Sequence, residues 1–294
     1  MTTKNRTRYH MIKVLGKGGF ARVVLARDLL LQRDVAIKQA LLSDEESKAQ
    51  FRMECEVMTR IRHPMIPQVY DVDAQSIIME YIEGIRLDTW MERHGAMPMS
   101  MLKEVGLSLA GFLQTLHESP GELLYLDLKP ENIIWQEGGK IRVIDYGTVR
   151  YSSRYQSADP RRIGSYGYAS PEQWAGDAVD ARADIYTLCV LLYDLACGKV
   201  CAGSPQIRFH QRRDSELPGA LFAILHKGAS PRKEERYGSM REFCREFEDC
   251  FQKSHRRYHR KKESYLCLNS VLLHDAGAHG RGFGRCATLK TEGK

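Results

Sequence analysis

Residues 125–147 read YLDLKPENIIWQEGGKIRVIDYG. Two short β-branched runs, Ile133–Trp135 and Ile141–Ile144, flank Glu137-Gly-Gly-Lys140, which predicts a hairpin with Gly138 and Gly139 at its tip. A hairpin folds the chain back on itself, so Asn132 at its entry comes close to Asp145 at its exit. Oxygen donors converging from two backbone segments suit Mg²⁺, which takes one or two carboxylates together with phosphate oxygens. Asp127 and Lys129, two apart in the preceding loop, offer a base and a cation at one place. Read singly, Asp127 could also stabilise a turn, and Asn132 and Asp145 could be loop caps.

Working outward to the N-terminus, Tyr9–Leu15 reads as a strand, Gly16-Lys-Gly18-Gly19-Phe-Ala21-Arg-Val23 interrupts it, and Val23–Arg27 resumes it. Glycines at such a turn let backbone N–H groups approach a phosphate, although an ordinary hairpin tip looks the same. Val23 and Val24 follow where a dinucleotide-binding turn would open a helix, which argues against that fold. Asp34–Leu41 alternates, with Val35 and Ile37 on one face and Ala36 and Lys38 on the other. Ser43-Asp-Glu-Glu46 predicts a capping box and a helix running to about Arg62. Its apolar stripe follows Phe51, Met58 and Ile61, and Glu54 falls on that stripe. A carboxylate left unpaired there would cost on the order of several kcal/mol. Lys38 is the natural partner; the alternative is that Glu54 reaches solvent while Glu56 and Arg52 form the polar face.

His63-Pro64 stops the helix, and strands are predicted over Gln68–Asp73 and Ser76–Tyr81. Five short strands and one helix describe a small α+β lobe. From Glu83-Gly84 onward the periodicity turns helical, with a run over Met99–Ser119 and another over Ile185–Cys197. The second is apolar on nearly every side, the mark of a buried central helix.

These segments together resemble the eukaryotic-type (Hanks-type) protein kinases, most closely the compact bacterial serine/threonine kinases. Gly16-x-Gly18-x-x-Ala21-x-Val23 resembles the glycine-rich phosphate loop, Val35-Ala-Ile-Lys38 the lysine strand, and Glu54 the helix glutamate. Asp127-Leu-Lys-Pro-Glu-Asn132 resembles the catalytic loop, Asp145-Tyr-Gly147 stands for Asp-Phe-Gly, and Ser170-Pro-Glu172 for Ala-Pro-Glu. Gly164-Ser165, Asp184 and Arg236 also fit, the last as the family's partner for Glu172. The motifs occur in order over about residues 9–250.

The resemblance implies an α+β, bilobal protein-kinase-like fold, with a small β-rich N-lobe over 9–82 and a larger, mainly helical C-lobe over 83–252. It implies an ATP-dependent serine/threonine kinase that uses Mg²⁺, with Mn²⁺ as a substitute, on protein substrates. Nucleotide contacts are expected from Leu15, Gly16, Lys17, Gly18 and Gly19, from Phe20, Ala21 and Val23 across the turn, and from Ala36 and Lys38. Met79 stands as gatekeeper, with adenine reading backbone groups of Glu80 and Ile82. Glu54 orients Lys38, Asp127 is the base, Lys129 steadies the transferring phosphoryl group, and Asn132 and Asp145 hold the metal.

Three departures matter. Ala21 replaces the third glycine, Cys189 replaces a glycine in the central helix, and Tyr125-Leu126 replaces the usual His-Arg before the catalytic Asp. Without Arg at 126 no cation awaits a phosphate on the activation loop, so the expected enzyme is of the non-RD type. Ser152, Ser153, Tyr155 and Ser157 are nonetheless candidate autophosphorylation sites. The same departure keeps open a pseudokinase scaffold that binds nucleotide or partners without turnover. A small-molecule kinase would lack the Ser-Pro-Glu platform.

Composition agrees with this frame. The chain has 294 residues, 43% of them hydrophobic and 28% charged, which excludes collagenous and wholly disordered classes. The N-terminus has no apolar signal core and no apolar run reaches the roughly 18 residues of a membrane helix, so a cytoplasmic protein without a transmembrane segment is expected. The eight cysteines form no CxxC, which leaves buried free thiols rather than a zinc site. Residues 253–294 hold ten Lys/Arg against three acids, the whole of the net charge of +7. This basic tail could contact anionic lipid or nucleic acid, or be a solvated, disordered extension.

Overall fold

The computed structural model describes residues 8–19, 21–41, 44–155, 164–199 and 217–252. The chain divides into two units, Met1–Glu248 and Asp249–Lys294. In the second, residues 249–252 are helical, and the basic tail over 253–294 lies outside the described residues.

The first unit opens with a five-stranded antiparallel sheet of order β1-β2-β3-β5-β4. Its strands are β1 (Tyr9–Lys17), β2 (Ala21–Asp28), β3 (Arg33–Ala40), β4 (Val69–Val72) and β5 (Ser76–Glu80). Val24, Ala26, Val35, Ile37 and Ile78 share one buried face with Tyr9, as the period-two pattern requires. Strand β1 lies at the edge and is exposed apart from Tyr9, with irregular register before Lys13 and before Gly16. Those irregularities twist the edge just before the glycine turn.

Helix α1 (Glu45–Arg60) packs Phe51, Met53, Val57 and Met58 into the core. Its capping box sits one residue later than the sequence pattern suggested. The Ser47 N–H donates to Asp44 Oδ1 at 2.7 Å and the Asp44 N–H donates to Ser47 Oγ at 3.2 Å. Adjacent Ser43 and Asp44 are both good N-caps, and Ser47 supplies the reciprocal acceptor that settles the choice on Asp44. The helix ends at Arg60 because Ile61 is extended.

The helical lobe begins with β6 (Ile85–Arg86), α2 (Leu87–His94) and α3 (Met99–His117), followed by β7 (Leu123–Leu124). The expected hairpin forms from β8 (Ile133–Trp135) and β9 (Ile141–Val143), with Ile133 opposite Val143. Gly138 and Gly139 at its tip have φ of 82° and 83°, which only glycine adopts at little cost. Strand β10 (Arg150–Tyr151) pairs with β7. Helices α4 (Pro171–Ala175), α5 (Arg182–Cys197), α6 (Gly219–Gly228) and α7 (240–248) complete the unit. Helix α5 is buried along nearly its whole length, as its all-round apolarity requires. Among the described residues no helix is long and apolar enough to cross a membrane. The fold is therefore α+β and bilobal, a sheet lobe followed by a helical lobe.

Two departures from ordinary packing compensate each other. Cys189 is fully buried in α5, and a Cβ built on Gly228 would lie 2.2 Å from its Sγ. The larger residue at 189 is accommodated by the missing side chain at 228. Gly228→Ala should therefore cost about 1–3 kcal/mol in denaturant unfolding through overpacking. Adding Cys189→Ala should restore most of it; an undiminished loss in the double variant would mean that the two positions are not coupled.

Glu172 in α4 and Arg236 form a buried fork, Nη1 to Oε1 at 2.6 Å and Nη2 to Oε2 at 2.8 Å. Arg236 also donates to the carbonyls of Ser230, Arg182 and Pro231, at 2.8 to 3.2 Å.

Candidate active site

Strand β3 places Lys38 opposite Val23 on one side and Ile77 on the other, so its side chain points under the β1–β2 turn. Helix α1 brings Glu54 to the same point. Lys38 Nζ donates to Glu54 Oε1 at 2.5 Å and to Asp145 Oδ1 at 2.9 Å. Glu54 therefore does not reach solvent; it is 4% exposed and paired. Burial alone would lower the Lys38 pKa, but Glu54 and Asp145 hold it above the usual lysine range, so it stays charged. Burial pushes Glu54 up while Lys38 pulls it back. Burial opposes ionisation of Asp145 too, yet Lys38 and the Gly147 N–H (3.1 Å) hold it below the usual carboxylate range.

The catalytic-loop segment is fixed from beneath. Fully buried Asp184, at the start of α5, accepts the N–H of Tyr125 at 2.9 Å and of Leu126 at 2.7 Å. His117 at the end of α3 lies 2.8 Å from the same carboxylate. Gln173 Nε2 donates to the Leu126 carbonyl at 2.9 Å. These contacts hold Leu126 at φ 67°, a left-handed conformation uncommon for leucine. Its side chain packs with Leu124, Val179 and Ala183. The Tyr125 hydroxyl donates to the Asp145 carbonyl at 2.5 Å, tying this loop directly to the Asp-Tyr-Gly segment. Rings of Phe112, Tyr125 and Tyr146 meet edge to face around that contact.

Beyond this anchor the polar side chains converge. Asn132 Nδ2 donates to the Asp127 carbonyl at 2.9 Å and to Asp127 Oδ2 at 3.3 Å. Lys129 Nζ lies 3.0 Å from Asp127 Oδ2 and donates to Ser165 Oγ at 2.5 Å. Asp127 Oδ1 is buried and has no hydrogen-bond partner. The Ile144 N–H donates to the Asn132 carbonyl at 2.9 Å, which brings Asn132 beside Asp145 as the hairpin requires.

These groups surround one cleft of about 910 Å³, lined by Lys38, Glu54, Asp127, Lys129, Asn132 and Asp145 and by Gly16, Lys17, Gly18, Gly19, Ala21 and Val23. The Gly18 N–H donates to the Ala21 carbonyl at 2.9 Å and closes the turn, while side chains built on Gly16 or Gly19 would meet open space. Phe20 lies outside the described residues. The remaining expected nucleotide contacts, Leu15, Ala36, Met79, Glu80 and Ile82, do not line this cleft. Ala36 and Met79 are cross-strand neighbours in the sheet. The Glu80 N–H is committed to the Gln68 carbonyl at 2.8 Å, so of its backbone only the carbonyl could read a base.

The donor set fits a hard divalent cation with phosphates. Asp145 is held ionised with its side chain 47% exposed to the cleft, and Asn132 adds an amide oxygen from the facing segment.

Sequence patterns missed the supports. His117 and Gln173 act on the loop from other elements, and nothing near them in sequence marks the target. Asp184 was legible as a motif position, but not as the acceptor of two loop N–H groups. Ser165 was legible as a position, but its bond to Lys129 was not. Of the activation-loop candidates, Ser152 and Ser153 are described, whereas Ser157 and the Tyr155 side chain lie outside what is described.

The chain matches the family model of the protein kinase domain over residues 9–259. Serine/threonine-protein kinase PknB of Mycobacterium leprae is 31% identical over 255 residues, covering 78% of this chain and 41% of that protein. PknB of Mycobacterium tuberculosis is 32% identical over 265 residues (81% and 42%), and serine/threonine-protein kinase PrkC of Bacillus subtilis is 32% identical over 205 residues (66% and 31%). The chain thus spans less than half the length of each of these relatives. Motif order, bilobal fold and the match over most of its length agree: the chain belongs to the protein kinase family.

Proposed function

We propose that the chain is a serine/threonine protein kinase that transfers the γ-phosphoryl group of Mg-ATP to protein hydroxyls. The observation that carries this reading is the Asp127 carboxylate at the cleft, its Oδ2 oriented by Lys129 and Asn132, beside the Lys38–Glu54–Asp145 cluster. A positioned carboxylate is what an acceptor hydroxyl needs to lose its proton. Mg-ATP supplies the phosphoryl group and the charge neutralisation that its transfer needs. Lys38, kept cationic by Glu54, and the open glycine backbone hold phosphates. Asp145 and Asn132 hold the cation, for which Mn²⁺ can substitute. Lys129 bridges the Asp127 carboxylate and Ser165, placing positive charge where the phosphoryl group passes. Serine or threonine acceptors are favoured by Lys129 and by the relatives' printed names, and a cytoplasmic site of action fits the use of ATP.

The test is phosphate transfer from labelled ATP with Mg²⁺ or Mn²⁺ to a generic basic acceptor protein, with phosphosite mapping. Transfer to Ser or Thr, lost in Lys38→Met, supports the reading. Nucleotide binding without transfer would favour the scaffold alternative.

Independence from loop phosphorylation follows from residue 126. Leu126 is buried against Leu124, Val179 and Ala183, leaving no guanidinium there for a phosphate. Phosphatase-treated protein should keep its activity within about twofold, against the tens to thousands expected where a phosphate-Arg contact orders the site. A large loss on dephosphorylation would sink the non-RD reading.

A further inference from the structure

Helix α1 must hold one position for Glu54 to meet Lys38, and the phosphate-dependent means of holding it is missing. What the chain offers instead is Tyr151. It lies in β10, at the start of the activation segment, where the Tyr151–Leu123 pairing fixes its backbone against β7. The next residue continues the anchor, with the Ser152 N–H donating to the Glu122 carbonyl at 2.8 Å. Its ring lies over Gly121, where a side chain would come within 2.8 Å of it. From that seat the hydroxyl donates to Glu56 Oε1 at 2.8 Å. Glu56 is on α1, two residues after Glu54, and is also paired with Arg60 at 2.7 Å. A second contact from α1 to this region is longer, the Tyr146 N–H to Glu54 Oε1 at 3.4 Å.

We propose that Tyr151 and Glu56 form a phosphate-independent latch that holds α1 where Glu54 pairs with Lys38. Both are positioning residues, acting on nucleotide and phosphoryl transfer through Glu54 and Lys38. The inference rests on the kinase reading for its effect on turnover, but not for its effect on α1. Part of Glu56 stays at the surface, with its side chain 34% exposed, so the latch can open without breaking the core. The hydroxyl-to-carboxylate bond needs no modification to form, which suits a site with leucine at 126.

The test compares the full chain with Tyr151→Phe, Glu56→Ala, Glu56→Gln and the double variant Tyr151→Phe/Glu56→Ala. Each is measured for kcat and KM in phosphoryl transfer, for Mg-ATP affinity with a fluorescent ATP analogue, and for Tm. Tyr151→Phe keeps the ring over Gly121, so its Tm should fall by no more than a few degrees. A hydrogen bond to a charged group should make Tyr151→Phe and Glu56→Ala each about tenfold weaker in kcat/KM, and weaker in Mg-ATP affinity. The double variant should be no worse than Glu56→Ala, because the tyrosine hydroxyl has no contact left to lose once Glu56 is gone. Glu56→Gln keeps an acceptor oxygen and should retain most activity. Unchanged kcat/KM and affinity in Tyr151→Phe, or additive losses in the double variant, would overturn the latch. A parent that binds Mg-ATP but transfers nothing would overturn the kinase reading alone; the latch is then decided by affinity, and unchanged affinity in Tyr151→Phe counts against it. A parent that does not bind Mg-ATP overturns both.

Discussion

Asp127→Asn should lower kcat for phosphoryl transfer by about 10²–10⁴-fold, the range for removal of a positioned general base, with KM for ATP and Tm close to the parent's. The direction of the introduced amide decides this. Lys129 and Asn132 both donate toward Oδ2, so the single oxygen of the new side chain would take that place, and its NH₂ would replace Oδ1. A donor there cannot accept the hydroxyl proton. The shape and the support from Asp184 and Gln173 are untouched, so folding and nucleotide binding should survive. Steady-state kinetics beside a nucleotide-binding measurement checks it. Retention of more than a tenth of kcat would mean that Asp127 is not the base.

Apart from what the family resemblance implied, the parts of this site that were legible in the sequence are those carried by local periodicity. Glu54 was readable because a carboxylate on a buried helical stripe needs a cation, and Lys38 follows the apolar run Val35-Ala36-Ile37 on the neighbouring strand. Asn132 and Asp145 were readable because a two-glycine hairpin has to bring its ends together. What periodicity could not give was the contacts made across a long stretch of chain, of which the family resemblance supplied only the Glu172–Arg236 pair. Asp184 accepts from residues 58 and 59 positions earlier, and helix propensity contains nothing about such a partner. The left-handed turn at Leu126 was invisible for the same reason, since leucine has no local preference for it and the strain is sustained from outside. The capping box was displaced by one residue because Ser43-Asp44 offered two good caps, and the choice depended on a Ser47 rotamer. The Tyr125 departure looked like a loss in the sequence, yet its hydroxyl reaches the Asp145 carbonyl and makes a tie of its own. Burial pushes the Tyr125 phenol well above its ordinary pKa, so it stays a neutral donor.

The largest effect on stability should come from Arg236. Arg236→Ala removes both bonds of a bidentate pair whose members are 4% and 7% exposed, and leaves the Glu172 carboxylate buried without its cation. Breaking a buried pair from one side costs about 3–5 kcal/mol, because the surviving charge keeps its desolvation penalty and loses its compensation. For a lobe of this size that corresponds to a fall in Tm of roughly 6–20 °C. The carbonyls of Ser230, Arg182 and Pro231 lose their donor as well, so the loss should sit toward the upper end. Arg236→Lys should recover only part of it, since an ammonium cannot reproduce the fork or reach three carbonyls at once. The discriminating variant is the double, Arg236→Met/Glu172→Leu. If the penalty in Arg236→Ala is mainly a stranded charge, removing both charges should leave the protein more stable than Arg236→Ala. If the carbonyl bonds dominate, the double variant should be no better. Denaturant unfolding of the four proteins separates the two cases, and a loss below about 1 kcal/mol in Arg236→Ala, the scale of an exposed pair, would show that the fork does not hold α4 to the helical lobe.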